Sequence, residues 1–363
     1  MNLSEKAKQH VDSCRFCWMC RHICPVGNAT GQERNTARAR ALSLSLVNRG
    51  AAELTPDIMD NIYECQMCEA CLKDCATGWD PTYFTKEVRL QAALEGKTPD
   101  YINDLVDKVL ATGNVYGATE LNADLAAAIA EHKNGNVVLF LGAEARYNVP
   151  DAAVNAIKVL EMAGVDFAVI DAEPASGAAL DWLIGAADET KKQMTDCAAA
   201  LSEYDTVVAF DPQDAKTFVR EYKEYGIELP AVVTFTAYVA GLIKDGKLKV
   251  SNTGKAVVYQ DPYQLARMLE ETEEPRDIIA ACAELNEMLL NRKDTVWAGG
   301  SYMAIYNPLV SELVAKDRWV NAVNVGADTI VTASVSEYAA LKAAAPEGKT
   351  VLSIEELILS AAK

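Results

Sequence analysis

Two copies of one cysteine pattern constrain this chain more than any other feature. Cys14-Arg-Phe-Cys17-Trp-Met-Cys20-Arg-His-Ile-Cys24-Pro25 separates its cysteines by two, two and three residues, and Cys65-Gln-Met-Cys68-Glu-Ala-Cys71-Leu-Lys-Asp-Cys75 repeats the spacing. This is the spacing of iron–sulfur ligation, in which three thiolates on a tight loop cap three irons of a cubane and the fourth cysteine of each run completes the other cluster. The pattern therefore predicts two [4Fe-4S] clusters, the first held by Cys14, Cys17, Cys20 and Cys75 and the second by Cys65, Cys68, Cys71 and Cys24. Zinc sites usually come as paired cysteines with a longer spacer, not as compact runs of four. Disulfides between cysteines this close would shut strained small loops.

The segment between the runs, residues 25 to 64, reads as helical. Thr36 to Val47 ends before Asn48-Arg-Gly50, and Thr55-Pro56 opens a second helix, Asp57 to Tyr63, that delivers Cys65. Helical stretches follow at Pro81 to Leu94 and from about Pro99 to Ala130, with Gly113 and Gly117 as breakers. From Gly135 the pattern changes to short apolar strands alternating with helices, which implies parallel α/β units. It also repeats: Val137–Gly142 answers to Ala256–Tyr259, Asp205–Phe210 to Asp328–Thr332, and Val232–Thr234 to Thr350–Ser353. The expected organisation is an α-helical two-cluster ferredoxin domain over 1–98, a helical bridge over 99–134, and an α/β body of two repeated halves with parallel strands, 135–250 and 251–363.

Net charge is −18, from 52 acidic and 34 basic residues, a balance that repels nucleic acid and anionic membranes. No run of eighteen apolar residues is present, and the polar start MNLSEKAKQHVDSC has no apolar signal core. With reduced cysteines in cluster spacing, these features lead to the expectation of a cytoplasmic protein without a transmembrane segment. There is no Walker-type loop and no G-x-G-x-x-G after a strand, so no flavin or nucleotide site is expected on this chain. His10, His22 and His132 are the only histidines, and none belongs to a hydrolase-like arrangement.

The whole chain resembles the family of iron–sulfur subunits found in heterodisulfide reductase (its D subunit), glycolate oxidase and anaerobic glycerol-3-phosphate dehydrogenase (its C subunit). The resemblance is carried by the doubled cysteine run and by phrases in both halves: Phe140-Leu-Gly-Ala143, Val169-Ile-Asp-Ala-Glu-Pro-Ala-Ser-Gly177, Phe210-Asp-Pro212, Tyr259-Gln-Asp-Pro-Tyr263, Glu274-Pro-Arg276, Ala298-Gly-Gly300 and Asn324-Val-Gly-Ala-Asp328. In those relatives each half carries a cysteine-rich CCG signature, which in the heterodisulfide reductases binds a catalytic non-cubane cluster. Here the corresponding cysteines are missing. Ala143, Ala175, Ser176 and Asp214 stand in the first half, and Tyr263, Val296, Trp297, Ser334 and Glu337 in the second. Ala, Val, Trp and Tyr cannot replace four or more soft thiolates around iron. The CCG halves are thus expected to be degenerate, their glycine and Asp-Pro phrases surviving as backbone geometry. Cys197 and Cys282, in Ala-rich helical segments, are expected to be plain core residues.

Arg15, Arg21 and His22 inside the first run either raise a cluster potential or are solvent-facing charges, and the second reading is preferred. Trp18 and Met19 are read as packing against the cluster. Ala76 follows Cys75 where a proline follows Cys24. Arg34, Arg38 and Arg40 are read as a solvated positive face, with docking of an acidic partner as the alternative.

The function these readings lead to is that of an electron-transfer subunit of an oxidoreductase complex, not catalytic alone. The resemblance implies a flavoprotein (FAD-containing) dehydrogenase subunit as partner, with an electron-transfer flavoprotein, a ferredoxin or other redox subunits as further carriers. Two other classes are kept in view: a disulfide reductase of the heterodisulfide type, and a structural or oxygen-sensing iron–sulfur subunit.

Overall fold

The computed structural model describes residues 2–363; Met1 lies outside them. The N-terminal part is built of helices whose starts are capped as the sequence suggests. Thr36 accepts the Ala39 amide to begin helix Ala37–Asn48, and Thr55 accepts the Ile58 amide ahead of Pro56 in helix Pro56–Tyr63. Asp80 does the same for Thr82 and Tyr83 in helix Pro81–Leu94. The bridge is two helices, Asp100–Thr112 and Ala123–Glu131, not one. Gly113, at φ 78°, closes the first of them in the left-handed conformation with its amide on the Val109 carbonyl.

The body holds eight short strands: β1 Val137–Phe140, β2 Phe167–Ala168, β3 Thr206–Ala209, β4 Ala231–Thr234, β5 Ala256–Gln260, β6 Glu284–Asn286, β7 Thr329–Thr332 and β8 Thr350–Ser353. They form two four-stranded sheets, ordered β2-β1-β3-β4 and β6-β5-β7-β8. Every pairing is parallel, with Val137 opposite both Phe167 and Thr206, and Val258 opposite both Asn286 and Ile330. β1, β3, β4, β5, β7 and β8 fall where apolar runs predicted them. The edge strands β2 and β6 were not anticipated. Two or three residues are too few for a periodic signal, and Glu284-Leu-Asn286 is largely polar.

The two sheets are joined through one apolar core. Helix Pro150–Met162 packs on Ile354–Ser360, and Phe235–Lys244 packs on Glu274–Cys282. Ile157, Leu160, Val239, Leu242, Ile278, Ile279, Leu357 and Ile358 meet there. Each fully buried side chain of this kind contributes about 1.5–3 kcal/mol, and a whole domain is stable by only about 5–15 kcal/mol. The sheets therefore depend on one another for stability.

The helical part is fastened to this body at two places. Helix Ala178–Ile184 packs on Pro81–Leu94 and Asp100–Thr112, and helix Pro308–Asn324 packs on Pro25–Thr30. Arg89 sits fully buried at the first junction, where its guanidinium donates to the carbonyls of Trp182 (2.8 Å), Ile62 (3.1 Å) and Cys65 (2.7 Å). The Trp182 ring, 4.0 Å from the guanidinium, covers its face. A charge held this way is tolerated because carbonyl dipoles and a ring replace its water.

Candidate iron–sulfur centre

The two cysteine runs fold into matching loops. Phe16 and Trp18 have φ of 54° and 72°, and their counterparts Met67 and Glu69 have φ of 52° and 59°. Left-handed backbone at a non-glycine residue costs about 1–3 kcal/mol and clusters at functional sites. Successive turns of this kind point backbone N–H groups into a concavity that favours anions, as in many iron–sulfur sites. The Phe16 amide donates to Cys14 Sγ and the Met67 amide to Cys65 Sγ, each at 3.4 Å. Behind each left-handed residue a short helix begins, Met19–Ile23 carrying Cys20 and Ala70–Lys73 carrying Cys71.

The fourth cysteines are held differently. Cys24 caps helix Pro25–Thr30 by accepting the Gly27 amide on its sulfur at 3.4 Å. Cys75 lies 3.3 Å from the Thr77 hydroxyl. Burial raises its thiol pKa, but the Thr77 hydroxyl and the amides of Thr77, Trp79 and Gly78 outweigh that and leave it lowered. Without the proline that follows Cys24, the second run thus supplies a polar turn to its last sulfur.

Cys14, Cys17, Cys20 and Cys75 line one cavity, which Cys71 also touches. The Cys24 thiol is an electrostatic neighbour of Cys65, and Cys68 and Cys71 are neighbours of both. Burial, then repulsion among these thiols, pushes Cys20 up to about 11; burial pushes Cys68 up to about 12. All eight are free of disulfides. Among the described residues no three or more His, Cys, Asp or Glu side chains close to single-ion distance. Soft sulfurs, inward amides and neighbouring cations are the surroundings an anionic iron–sulfur cluster takes.

The arginines correct one expectation. Arg34 is exposed and pairs with Glu64 at 2.6 Å, but Arg40 is only 3% exposed, with Nε on the Asn61 carbonyl at 2.8 Å and one terminal nitrogen unpaired. Its charge faces Cys65 and Cys24. Arg38 stacks on the Trp18 ring at 3.6 Å and pairs with Glu33 at 2.9 Å. Only Arg34, in the turn Glu33–Asn35 ahead of helix Ala37–Asn48, is on a solvated face; within that helix, which rotates 100° per residue, Arg40 is turned inward. Trp18 and Met19 line the first cavity yet leave 40% and 47% of their surface outside.

The second loop is clasped by the body. Gln66 donates to the Tyr263 hydroxyl at 3.1 Å, and Arg220 grips Glu69 through two bonds of 2.9 and 3.2 Å. Arg267 donates to the Cys68 carbonyl, and the Tyr306 hydroxyl to that of Tyr63. Sequence reasoning singled out Tyr263 only as a residue standing at a CCG position, and Arg220, Arg267 and Tyr306 carried no signal, since the four lie 151 to 243 positions from what they hold, Arg220 being the nearest and Tyr306 the farthest in the chain.

The positions that resemble the CCG signatures hold polar networks instead of thiols. In the first half, Ala143, Ala175, Ser176 and Asp214 line a cavity together with Glu144 and Asp211. Burial, then the charge of Glu144, pushes Asp211 up to about 7. Ser176 donates to Asp214, whose carboxyl is raised further by burial and by Asp211. In the second half, Val296 and Trp297 are buried, Ser334 caps helix Val335–Ala343, and burial pushes Glu337 up to about 8. Glu337 accepts from Gln260 and from the Ala298 amide, both at 3.1 Å. The glycines have the expected geometric role: Gly300, at φ 84°, would place a Cβ 2.1 Å from the Ser336 carbonyl oxygen. Cys197 and Cys282 are fully buried in the core, away from both loops.

Residues 10–79 match the family model described as a 4Fe-4S dicluster domain. The chain is 26% identical over 368 residues to the D subunit of dihydromethanophenazine:CoB–CoM heterodisulfide reductase from Methanosarcina mazei, covering 91% of this chain and 88% of that one. The chain resembles this heterodisulfide reductase protein over most of its length. The Methanosarcina barkeri protein of the same name is 23% identical, over 77% of this chain and 75% of its own. The B subunit of fumarate reductase (CoM/CoB) from Methanothermobacter marburgensis is 23% identical over 88% of this chain, which spans only 65% of that relative's length. The chain is thus an iron–sulfur protein related to subunits of heterodisulfide and fumarate reductases. No helix among the described residues is long and apolar enough to cross a membrane.

Proposed function

We propose that the chain is an electron-transfer subunit that carries two [4Fe-4S] clusters and relays single electrons between a flavoprotein dehydrogenase and an acceptor. The observation that carries this reading is the pair of matching cysteine loops, with Cys24 beside Cys65 and Cys75 beside Cys14. Cys14, Cys17, Cys20 and Cys75 would hold one cluster, and Cys65, Cys68, Cys71 and Cys24 the other. When bound, the clusters supply one-electron redox steps. The chain's own residues orient the sulfurs through the Phe16, Met67 and Gly27 amides and offset negative charge with Arg40. The flavin belongs to the partner, which splits two-electron substrate chemistry into single electrons for the relay. A cytoplasmic location, and a body derived from two repeated halves over 135–250 and 251–363, complete the reading.

Disulfide reduction in the body is the second reading, and the cavity at Ala143, Ala175 and Ser176 offers it no thiol. A brace or oxygen sensor is the third. Anaerobic purification from the native source, with iron and flavin counted per chain, separates them. About eight irons with flavin on a co-purifying subunit supports the relay. Clearly more iron on the isolated chain would favour disulfide chemistry, and clusters that do not cycle during partner turnover would favour the brace.

A further inference from the structure

The two cysteine loops have the same backbone and opposite surroundings. Gln66, Cys68 and Glu69 of the second are tied to the body by Tyr263, Arg267 and Arg220. The corresponding edge of the first faces outward: Cys17 is exposed, and Phe16, Trp18 and Met19 are 46%, 40% and 47% exposed. Arg38, stacked on Trp18, carries the patch onto helix Ala37–Asn48, where Leu42 and Leu46 follow at successive four-residue steps, each 44% exposed. Contiguous exposed apolar groups with a polar rim mark interaction sites, and Trp and Arg are the residues that anchor them.

The rim identifies the partner. On a chain of net charge −18, residues 14–24 contain Arg15, Arg21 and His22 and no acidic residue. Among the described residues neither Arg15 nor Arg21 enters an ion pair; Arg21 instead lies 5.6 Å from the centroid of the Trp18 ring. An acidic partner is repelled by most of this protein and attracted here, which confines its approach to the cysteine edge. A basic partner would be drawn to the rest of the surface and turned away from this face.

We propose that Phe16, Trp18, Met19, Leu42 and Leu46, rimmed by Arg15 and Arg21, form the docking surface for an acidic protein that carries one electron at a time. The first cluster is then the port of the chain, and the second is its interior site. This rests on the relay reading above.

The test uses the full chain with both clusters, reduced in a stopped-flow instrument by an acidic [2Fe-2S] ferredoxin and, separately, by reduced methyl viologen. The Arg15→Glu/Arg21→Glu variant is expected to lower the second-order rate with ferredoxin by about tenfold or more and to abolish its fall with rising salt. Its iron content stays unchanged and its rate with methyl viologen does not fall. Leu42→Glu, remote from the cysteines, also slows ferredoxin alone and carries the apolar part of the test if Trp18→Ala loses iron. Equal ferredoxin rates in the unmodified and charge-reversed chains overturn the proposal. So does sedimentation showing a dimer that Trp18→Ala dissociates, since a second copy would then occupy the face. If neither reductant reduces the clusters of the unmodified chain, the relay reading itself fails.

Discussion

The Gln66 side-chain amide donates to the hydroxyl oxygen of Tyr263, 3.1 Å away, with both side chains buried. This bond ties the second cysteine loop to Tyr263, just beyond strand β5 of the body. Tyr263→Phe removes the acceptor while keeping the ring, and the Gln66 carbonyl oxygen already has no partner. An unsatisfied buried polar group costs about 1–3 kcal/mol. The variant is expected to lower the guanidinium midpoint and to release iron from the second site before the first, followed anaerobically by absorbance and iron release. Unchanged stability and release order would mean that the bond does not support the loop.

Crossing of the fourth cysteines gives a sharper test of the ligand assignment. Cys24→Ala is expected to remove the cluster of Cys65, Cys68 and Cys71, although Cys24 belongs to the first run. Cys75→Ala is expected to remove that of Cys14, Cys17 and Cys20. Each variant should lose about half the iron and one electron paramagnetic resonance signal, a different one in each case. The same signal lost in both would refute the crossing.

Arg40 is a buried cation beside Cys24 and Cys65. Neutralising it as Arg40→Met should lower the potential of the second cluster by something on the order of tens of millivolts, because the reduced form carries one more negative charge. The first cluster, next to Arg38, should change less, and Arg40→Lys should restore part of the shift. A redox titration read by paramagnetic resonance resolves the two.

Asp211 has its carboxyl pushed up to about 7 by burial, with Glu144 adding to the effect. A carboxyl raised in the folded state binds more protons folded than unfolded between its two pKa values. Stability from this group is therefore present below about pH 4 and is lost as pH rises toward 7. Asp211→Asn keeps a capping oxygen for helix Pro212–Lys216 and removes the charge. It should match the unmodified chain near pH 4 and exceed its stability by roughly 1–3 kcal/mol at pH 8. Parallel unfolding curves at both pH values would refute this.

Gly300→Ala would press a methyl group onto the Ser336 carbonyl in a left-handed backbone. A loss of roughly 3 kcal/mol or more is expected, seen as a lower melting temperature, with the iron content of the folded fraction unchanged. A neutral effect would return Gly300 to ordinary loop tolerance.

The sequence by itself determined the local part of this protein. Cysteine spacing sets which sulfurs share a loop, Thr36, Thr55-Pro56 and Gly113 set where helices begin and end, and apolar runs of four or five residues set six of the eight strands. Each of these signals acts within a few residues, where chain connectivity already brings the groups together. Tertiary structure alone decided which loop is covered. Arg220, Arg267 and Tyr306 are ordinary residues in the sequence, and with Tyr263 they reach the second loop and the helix that leads into it only because helices Ala178–Ile184 and Pro308–Asn324 seat the helical part on the body. It also turned Arg40 inward through the packing of helix Ala37–Asn48, while Arg34, in the turn ahead of that helix, stays in solvent. Long-range burial is a property of the packed chain, so two nearly identical cysteine loops became one interior site and one exposed edge.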